Sequence, residues 1–262
     1  MSDASPTAAP AAMPKTLVVG CGALARELLA LVRAGGWGHV RVTCLPAKLH
    51  NRPERIPARL ALAIRAGRAA GYERVVAAFA DCGTGGAIDR VLAAEGVARI
   101  AGPHCYAFYA GQADFARLME EEPGSFFLTD YLVRQFDALV VEGLGLTRHP
   151  RMRDWMFGGY RRLVWLAQSP DPALAVAAER AAGYLGLPLE VRRTGMGELA
   201  GFVEAAATGA ELPVPGAGQE SAAPAHPPAA DDRPDDRPPR PRRANARRSA
   251  HRRPAARLAV VR

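Results

Sequence analysis

A short apolar run that stops at a glycine and passes straight into a helical repeat constrains this chain more than any other feature. Thr16 to Gly20 (TLVVG) is β-branched and apolar, and Ala23 to Arg33 then carries Leu24, Leu28, Leu31 and Val32 at helical spacing. A strand, a tight turn and a helix in that order build parallel sheets, because a parallel partner is reached only through a crossover of helical length. The unit recurs. His39 to Leu45 reads as a second strand and Ile56 to Ala70 as a second helix, with Pro57 near its first turn. Arg74 to Ala80 (RVVAAFA) reads as a third strand, Gly85 to Glu95 as a third helix, Val97 to Gly102 as a fourth strand and Ala113 to Glu121 as a further helix.

The second half is similar in kind but less regular. Phe126 and Phe127 lead into Thr129, an N-cap residue for a helix through Val141 with Leu132, Phe136, Leu139 and Val140 along one stripe. Arg162 to Gln168 reads as a strand, and Pro172 to Gly186 as a helix with proline at its start and glycine at its end. Leu189 to Arg193 reads as an edge strand and Met196 to Ala207 as a closing helix. The pattern predicts a doubly wound, Rossmann-like α/β domain over 15–208, with one mostly parallel sheet of about six strands and helices on both faces.

Charge sets the flanks apart from this body. The chain of 262 residues carries a formal net charge of +8, and residues 213–262 hold eleven Arg against five acids. The body is therefore nearly neutral, which argues against a dedicated nucleic-acid-binding domain and leaves nucleic acid as a partner only through the tail. Residues 209–262, rich in Pro and Arg, lack apolar periodicity and are expected to be a disordered tail; residues 1–14, rich in Ala and Pro, are expected to be a disordered leader. No uncharged apolar run reaches the roughly 18 residues of a membrane span. The expected location is cytoplasmic, where the four cysteines would be thiols or metal ligands.

The positions of those cysteines carry the chemistry. Cys21 follows the first strand in Gly20-Cys21-Gly22, Cys82 follows the third in Asp81-Cys82-Gly83, and Cys105 follows the fourth in Gly102-Pro103-His104-Cys105. The loop after the second strand supplies His50, between Pro46 and Pro53. In an open parallel sheet all these tips lie on one edge, where such folds bind ligands, and neighbouring strands are only about 4.8 Å apart. Cys21, His50, Cys82 and Cys105 thus form a candidate soft-ligand set for a transition metal, zinc or an iron-sulfur cluster. Cys44 lies inside the second strand in phase with Val40 and Val42 and reads as core. His104, beside Cys105, reads equally as a ligand, a proton donor or a helix-entry residue.

Glycines at the same tips offer a second reading. Gly20, Gly22 and Ala25 match G-x-G-x-x-A directly after a strand, the setting in which a pyrophosphate sits on a helix N-terminus. The second strand ends in Thr43-Cys44-Leu45-Pro46, with no acid for a ribose hydroxyl, which argues against a nicotinamide dinucleotide. Gly22, with Gly83, Gly85 and Gly86 of the turn after the third strand and His104, remains a candidate cradle for an anionic cofactor or nucleotide. In that reading the protein is a non-catalytic binding module.

These residues also carry a family resemblance. Gly20-Cys21-Gly22-Ala23-Leu24 with Glu27, Leu45-Pro46-Ala47 with Leu49-His50-Asn51 and Pro53, Asp81-Cys82-Gly83 and His104-Cys105-Tyr106 form one part of it. Phe127-Leu128-Thr129-Asp130, His149-Pro150 and the run from Tyr160 to Gln168 form the other. Together they resemble the bacterial and archaeal domain of unknown function sixteen-thirty-eight, over about residues 15–205. The resemblance points to Cys21, His50, Cys82 and Cys105. It implies a role in or beside corrinoid-linked methyl transfer and one-carbon metabolism, with a corrinoid as cofactor and a methyltransferase or corrinoid protein as partner.

Overall fold

The structure, a computed structural model, describes residues 13–216 and a two-residue strand at 260–261. Most of the leader expected over 1–14, and of the tail expected over 209–262, lies outside the described residues. Three parallel strands form the first sheet: β1 (Thr16–Cys21), β2 (Val40–Leu45) and β3 (Arg74–Ala78), in the order β3-β1-β2. The crossovers carry α1 (Ala25–Ala34) and α2 (Ile56–Ala69), and α3 (Ala87–Glu95) follows β3. Central β1 is buried at every residue, as a strand covered on both faces must be.

A second parallel sheet follows, where the sequence predicts a continuation of the first. After α4 (Cys105–Ala110) and α5 (Gln112–Glu121) come β4 (Ser125–Thr129), α6 (Asp130–Arg134), α7 (Arg151–Phe157), β5 (Arg162–Ala167), α8 (Pro172–Leu185) and β6 (Leu189–Arg193). The order is β4-β5-β6, all parallel. The closing helix α9 (Glu198–Thr208) returns to the first sheet and packs on α1, β1 and α4. The α/β class holds, but six parallel strands divide into two sheets of three. A final β7 (Val260–Val261) pairs antiparallel with Val42 and Thr43 on the outer edge of β2.

The division has a local cause. Residues 97–102 were expected to be a strand, yet they make only a parallel bridge from Arg99 to Ala77. The Arg99 side chain is drawn inward, paired with both carboxylate oxygens of Asp89 and donating to the carbonyls of Ile100 and Gly102. Gly102 then turns the chain at φ +112°, and Pro103 has no N–H to extend a ladder. The missing strand is supplied by Ser125–Thr129, whose Phe-Phe pair is the β-favouring signal. The expected helix through Val141 breaks after Arg134 into a π-helical stretch over Asp137–Val141, with Glu142 N–H donating to Asp137 O at 2.8 Å.

The second sheet shows how strand period builds two cores at once. Val164 and Leu166 of β5, with Phe127 of β4, join the core that includes β1, α4, α5 and α9. Leu163, Trp165 and Ala167, with Leu128, face a separate cluster with α8 and the segment after α6. Burying one such side chain is worth about 1.5–3 kcal/mol. A one-residue slip of β5 would exchange both sets, so its register is fixed from both sides. Among the described residues no helix is long and apolar enough to cross a membrane.

Candidate functional site

Cys21 ends β1 and caps the 3-10 turn Gly22–Leu24, its buried sulfur accepting from Ala23 N–H at 3.3 Å. Gly22 is required by close approach: a Cβ there would stand 3.0 Å from Leu45 O and 3.2 Å from Ala47 N. The glycine therefore seats the β1 tip against the β2 loop. Gly20 likewise lies against Leu28, leaving room for the Cys44 sulfur beside it. Cys44 packs against the core, as its strand phase predicts.

The turn after β3 is organised by Asp81. This buried carboxylate accepts from Thr84 Oγ1 at 2.7 Å, Gly86 N–H at 2.8 Å and Gly85 N–H at 3.2 Å. The backbone donors expected to cradle an anion at Gly85 and Gly86 thus face an internal carboxylate. Gly83, Gly85 and Gly86 all have positive φ, the conformational reason for glycine there. Cys82, between Asp81 and Gly83, is the sole non-glycine residue at positive φ among the described residues, at +52°. Its N–H donates to Pro103 O at 2.8 Å, tying this tip to the one that carries Cys105. A side chain held left-handed costs on the order of 1 kcal/mol, and such strain concentrates at functional sites.

Cys105 opens α4, with His104 as the N-cap residue. The ring of Tyr106 stacks on Phe127 of the second sheet at 5.6 Å, and His104 sits by Tyr106 and Phe115 with ring centroids 6.0 and 6.2 Å away. Helix α4 packs on β4 and β5. The third thiol is therefore carried on the element that joins the two sheets.

The three expected thiols share one electrostatic neighbourhood. Cys82 feels Cys105 and Cys21, and Cys105 feels Cys21. Loss of hydration is the main influence on each, pushing Cys21 up to about 11 and Cys105 to about 12, and raising Cys82 well above the ordinary thiol range. The neighbouring groups add to the rise for Cys82 and Cys105. Without a cation these groups are neutral thiols at pH 7. Cys82 and Cys105 nevertheless keep part of their surface open. Among the described residues no group of three or more His, Cys, Asp and Glu is gathered as a metal-ligand set. The thiols are within electrostatic reach of one another without forming a ligand set.

The structure does not bring His50 into this group. It is exposed in the 3-10 turn Ala47–Asn51, with Nδ1 2.9 Å from Ala47 O. A carbonyl only accepts, so Nδ1 donates there, and a neutral ring keeps its lone pair on Nε2.

The second sheet contributes residues that sequence reading missed. Asp130, just past β4, is buried and accepts from Trp165 Nε1 at 3.0 Å, Gln168 N–H at 3.1 Å, Ser169 N–H at 3.0 Å and Ser169 Oγ at 2.6 Å. Arg134, one turn on, stands 3.7 Å from Asp130 and 4.0 Å from Glu27 of α1. Glu27 is buried, and desolvation raises its carboxyl above the usual range, with the Arg134 charge opposing the rise. Tyr109 feels Glu27, Cys105, Asp130 and Cys21, and Tyr131 feels Cys21. Helix α6 packs on the Gly22–Leu24 turn. The rule that selected the thiols, ligands at carboxyl ends of parallel strands, selects Asp130 equally once Ser125–Thr129 is recognised as a strand. A separate polar cleft of about 700 Å³ opens between α5 and the β6–α9 loop and meets this group only at Tyr109.

Fold and site together define a parallel α/β protein with a thiol-bearing edge facing a buried carboxylate-arginine network. The chain matches the model of the family described as "Protein of unknown function (DUF1638)" over residues 44–203, more than half its length, and belongs to that family. The matched span includes Cys82, Cys105, Asp130 and Arg134 and begins after the Cys21 loop. No curated protein and no solved structure matches the chain.

Proposed function

We propose that this protein binds a thiophilic metal ion through Cys21, Cys82 and Cys105, in a centre open toward the second sheet. The observation that carries the reading is Cys82: strained at φ +52°, tied to the Cys105 loop through Pro103, and within electrostatic reach of both other thiols. A soft cation repays the removal of three thiol protons, which desolvation otherwise opposes. Because the thiols are not preassembled, binding closes the strand tips on the ion. Zinc or an iron-sulfur cluster suits the donor set, with His50 the expected fourth ligand if its loop folds in. On the resemblance described above, the setting is corrinoid-linked methyl transfer or one-carbon metabolism, beside a methyltransferase or corrinoid protein.

The competing reading, an anionic cofactor or nucleotide on Gly22, Gly83, Gly85, Gly86 and His104, is less favoured because Asp81 takes two of the donors it needs. The deciding experiment is metal analysis of anaerobically purified protein, before and after zinc titration, beside Cys82→Ser. Bound metal that the substitution removes supports the proposal. A metal-free wild type that takes up no zinc, or equal content in the variant, ends it.

A further inference from the structure

The second sheet faces the thiols with an arginine whose hydrogen bonds are unspent. Arg134 Nη1 is buried and has no hydrogen-bond partner among the described residues. Its two acidic neighbours stand at 3.7 and 4.0 Å, close enough to attract but too far for good hydrogen bonds. Asp130 is already supplied with four donors from Trp165, Gln168 and Ser169. Arginine carries five N–H donors in a planar fork that fits a carboxylate or phosphate, and buried donors are seldom left unmet.

The arginine also stands beside the first thiol tip: α6, which carries it, packs on the Gly22–Leu24 turn that follows Cys21, and its guanidinium lies 4.0 Å from Glu27 of α1. We propose that Arg134 binds a small oxyanion, the carboxylate or phosphate group of the molecule presented to the thiols. As a substrate class this rests on the metal-binding reading; as a binding site it stands on the Arg134 geometry alone. Glu27 and Asp130 hold the guanidinium by charge without using the Nη1 hydrogens.

The two acids and the arginine make opposite predictions for an incoming anion. The full-length, metal-free protein is titrated calorimetrically with inorganic phosphate and, separately, with malonate, which distinguishes the two oxyanion sources. Saturable binding of one of them is expected. It should weaken tenfold or more in Arg134→Lys, which keeps the charge and loses the fork, and strengthen severalfold in Glu27→Gln, which removes a repelling carboxylate. The Arg-rich tail is unchanged in every variant, so its contribution cancels. No saturable binding of either anion by the wild type, or equal affinity in Arg134→Lys, overturns the proposal. Zinc titration of the same proteins fails or succeeds separately: Arg134→Lys should bind zinc as the wild type does, whereas loss of zinc binding belongs to Cys82→Ser.

Discussion

The carboxyl ends of the two parallel sheets are built alike and left in opposite chemical states. At the tips beyond β4 and β5, the Asp130 carboxylate receives four hydrogen bonds from Trp165, Gln168 and Ser169. On the first sheet's side, the loops after β1 and β3 and the start of α4 carry three thiols, one on a strained backbone and all desolvated. The satisfied group holds structure, since every lone pair it spends fixes a loop. On the proposed reading the thiol tips are the ones that bind, since three desolvated thiols ionise only when a suitable cation arrives. Arg134 stands between the two, tethered by charge to Asp130 on its own side and to Glu27 on the other.

The sharpest way to break this contrast is to remove each group in turn. Asp130→Ala strands the indole N–H, two backbone N–H groups and the Ser169 hydroxyl, and leaves Arg134 with Glu27 alone. We expect a loss of about 3–5 kcal/mol, read as a lowered denaturant midpoint. Cys82→Ser, which keeps the shape and removes only a sulfur, should cost under about 1 kcal/mol while abolishing metal uptake. Equal losses in the two variants would erase the distinction between a structural tip and a binding tip.

The next effect is the part of the alkaline pH dependence that the Cys21 thiol contributes. Burial raises Cys21 from the unfolded value of 9.0 to about 11, so above pH 9 the unfolded chain sheds a proton that the folded chain keeps. The stability associated with the neutral thiol is present below pH 9 and is lost as pH rises toward 11. The slope is about 1.4 kcal/mol per pH unit for one group, or about 3 kcal/mol over that window. Chemical denaturation of metal-free wild type and Cys21→Ser across it should show the steeper fall in the wild type. Parallel curves would mean that the Cys21 proton is not held by burial.

The sequence drew attention to the thiol tips far more than to the Asp130 tips. Cys21 and Cys82 were singled out because a glycine turn after an apolar strand is a strong local signal, whereas Cys105 was singled out as following a fourth strand that does not form, and it opens α4 instead. Asp130 and Arg134 were not singled out as site residues because Ser125–Thr129 was read as a lead-in to a helix, so the strand-end rule was not applied there. The break between the sheets was also hidden: residues 97–102 have strand composition, and the pairing of Arg99 with Asp89, together with the turn at Gly102 and Pro103, keeps them out of a regular ladder. The strain at Cys82 leaves no mark in composition, and the glycines around it point only to a turn. His50 is exposed in a 3-10 turn between Pro46 and Pro53, a local conformation that the loop's position after the second strand does not announce.

A smaller effect tests whether Cys82 is kept for its sulfur against the preference of the backbone. At φ +52° glycine is favoured over any residue with a Cβ by about 1 kcal/mol, so Cys82→Gly should be more stable than Cys82→Ala by that amount, although it buries less. Both should lose metal binding. The comparison is made between two variants that each lack the thiol, so packing and metal content nearly cancel and the difference isolates the backbone. If alanine is as stable as glycine, the tip relaxes out of the left-handed region once the sulfur is gone. The conformation would then be imposed by the thiol's own contacts, and the turn around Asp81 would be no more than a follower of the site it was taken to hold open.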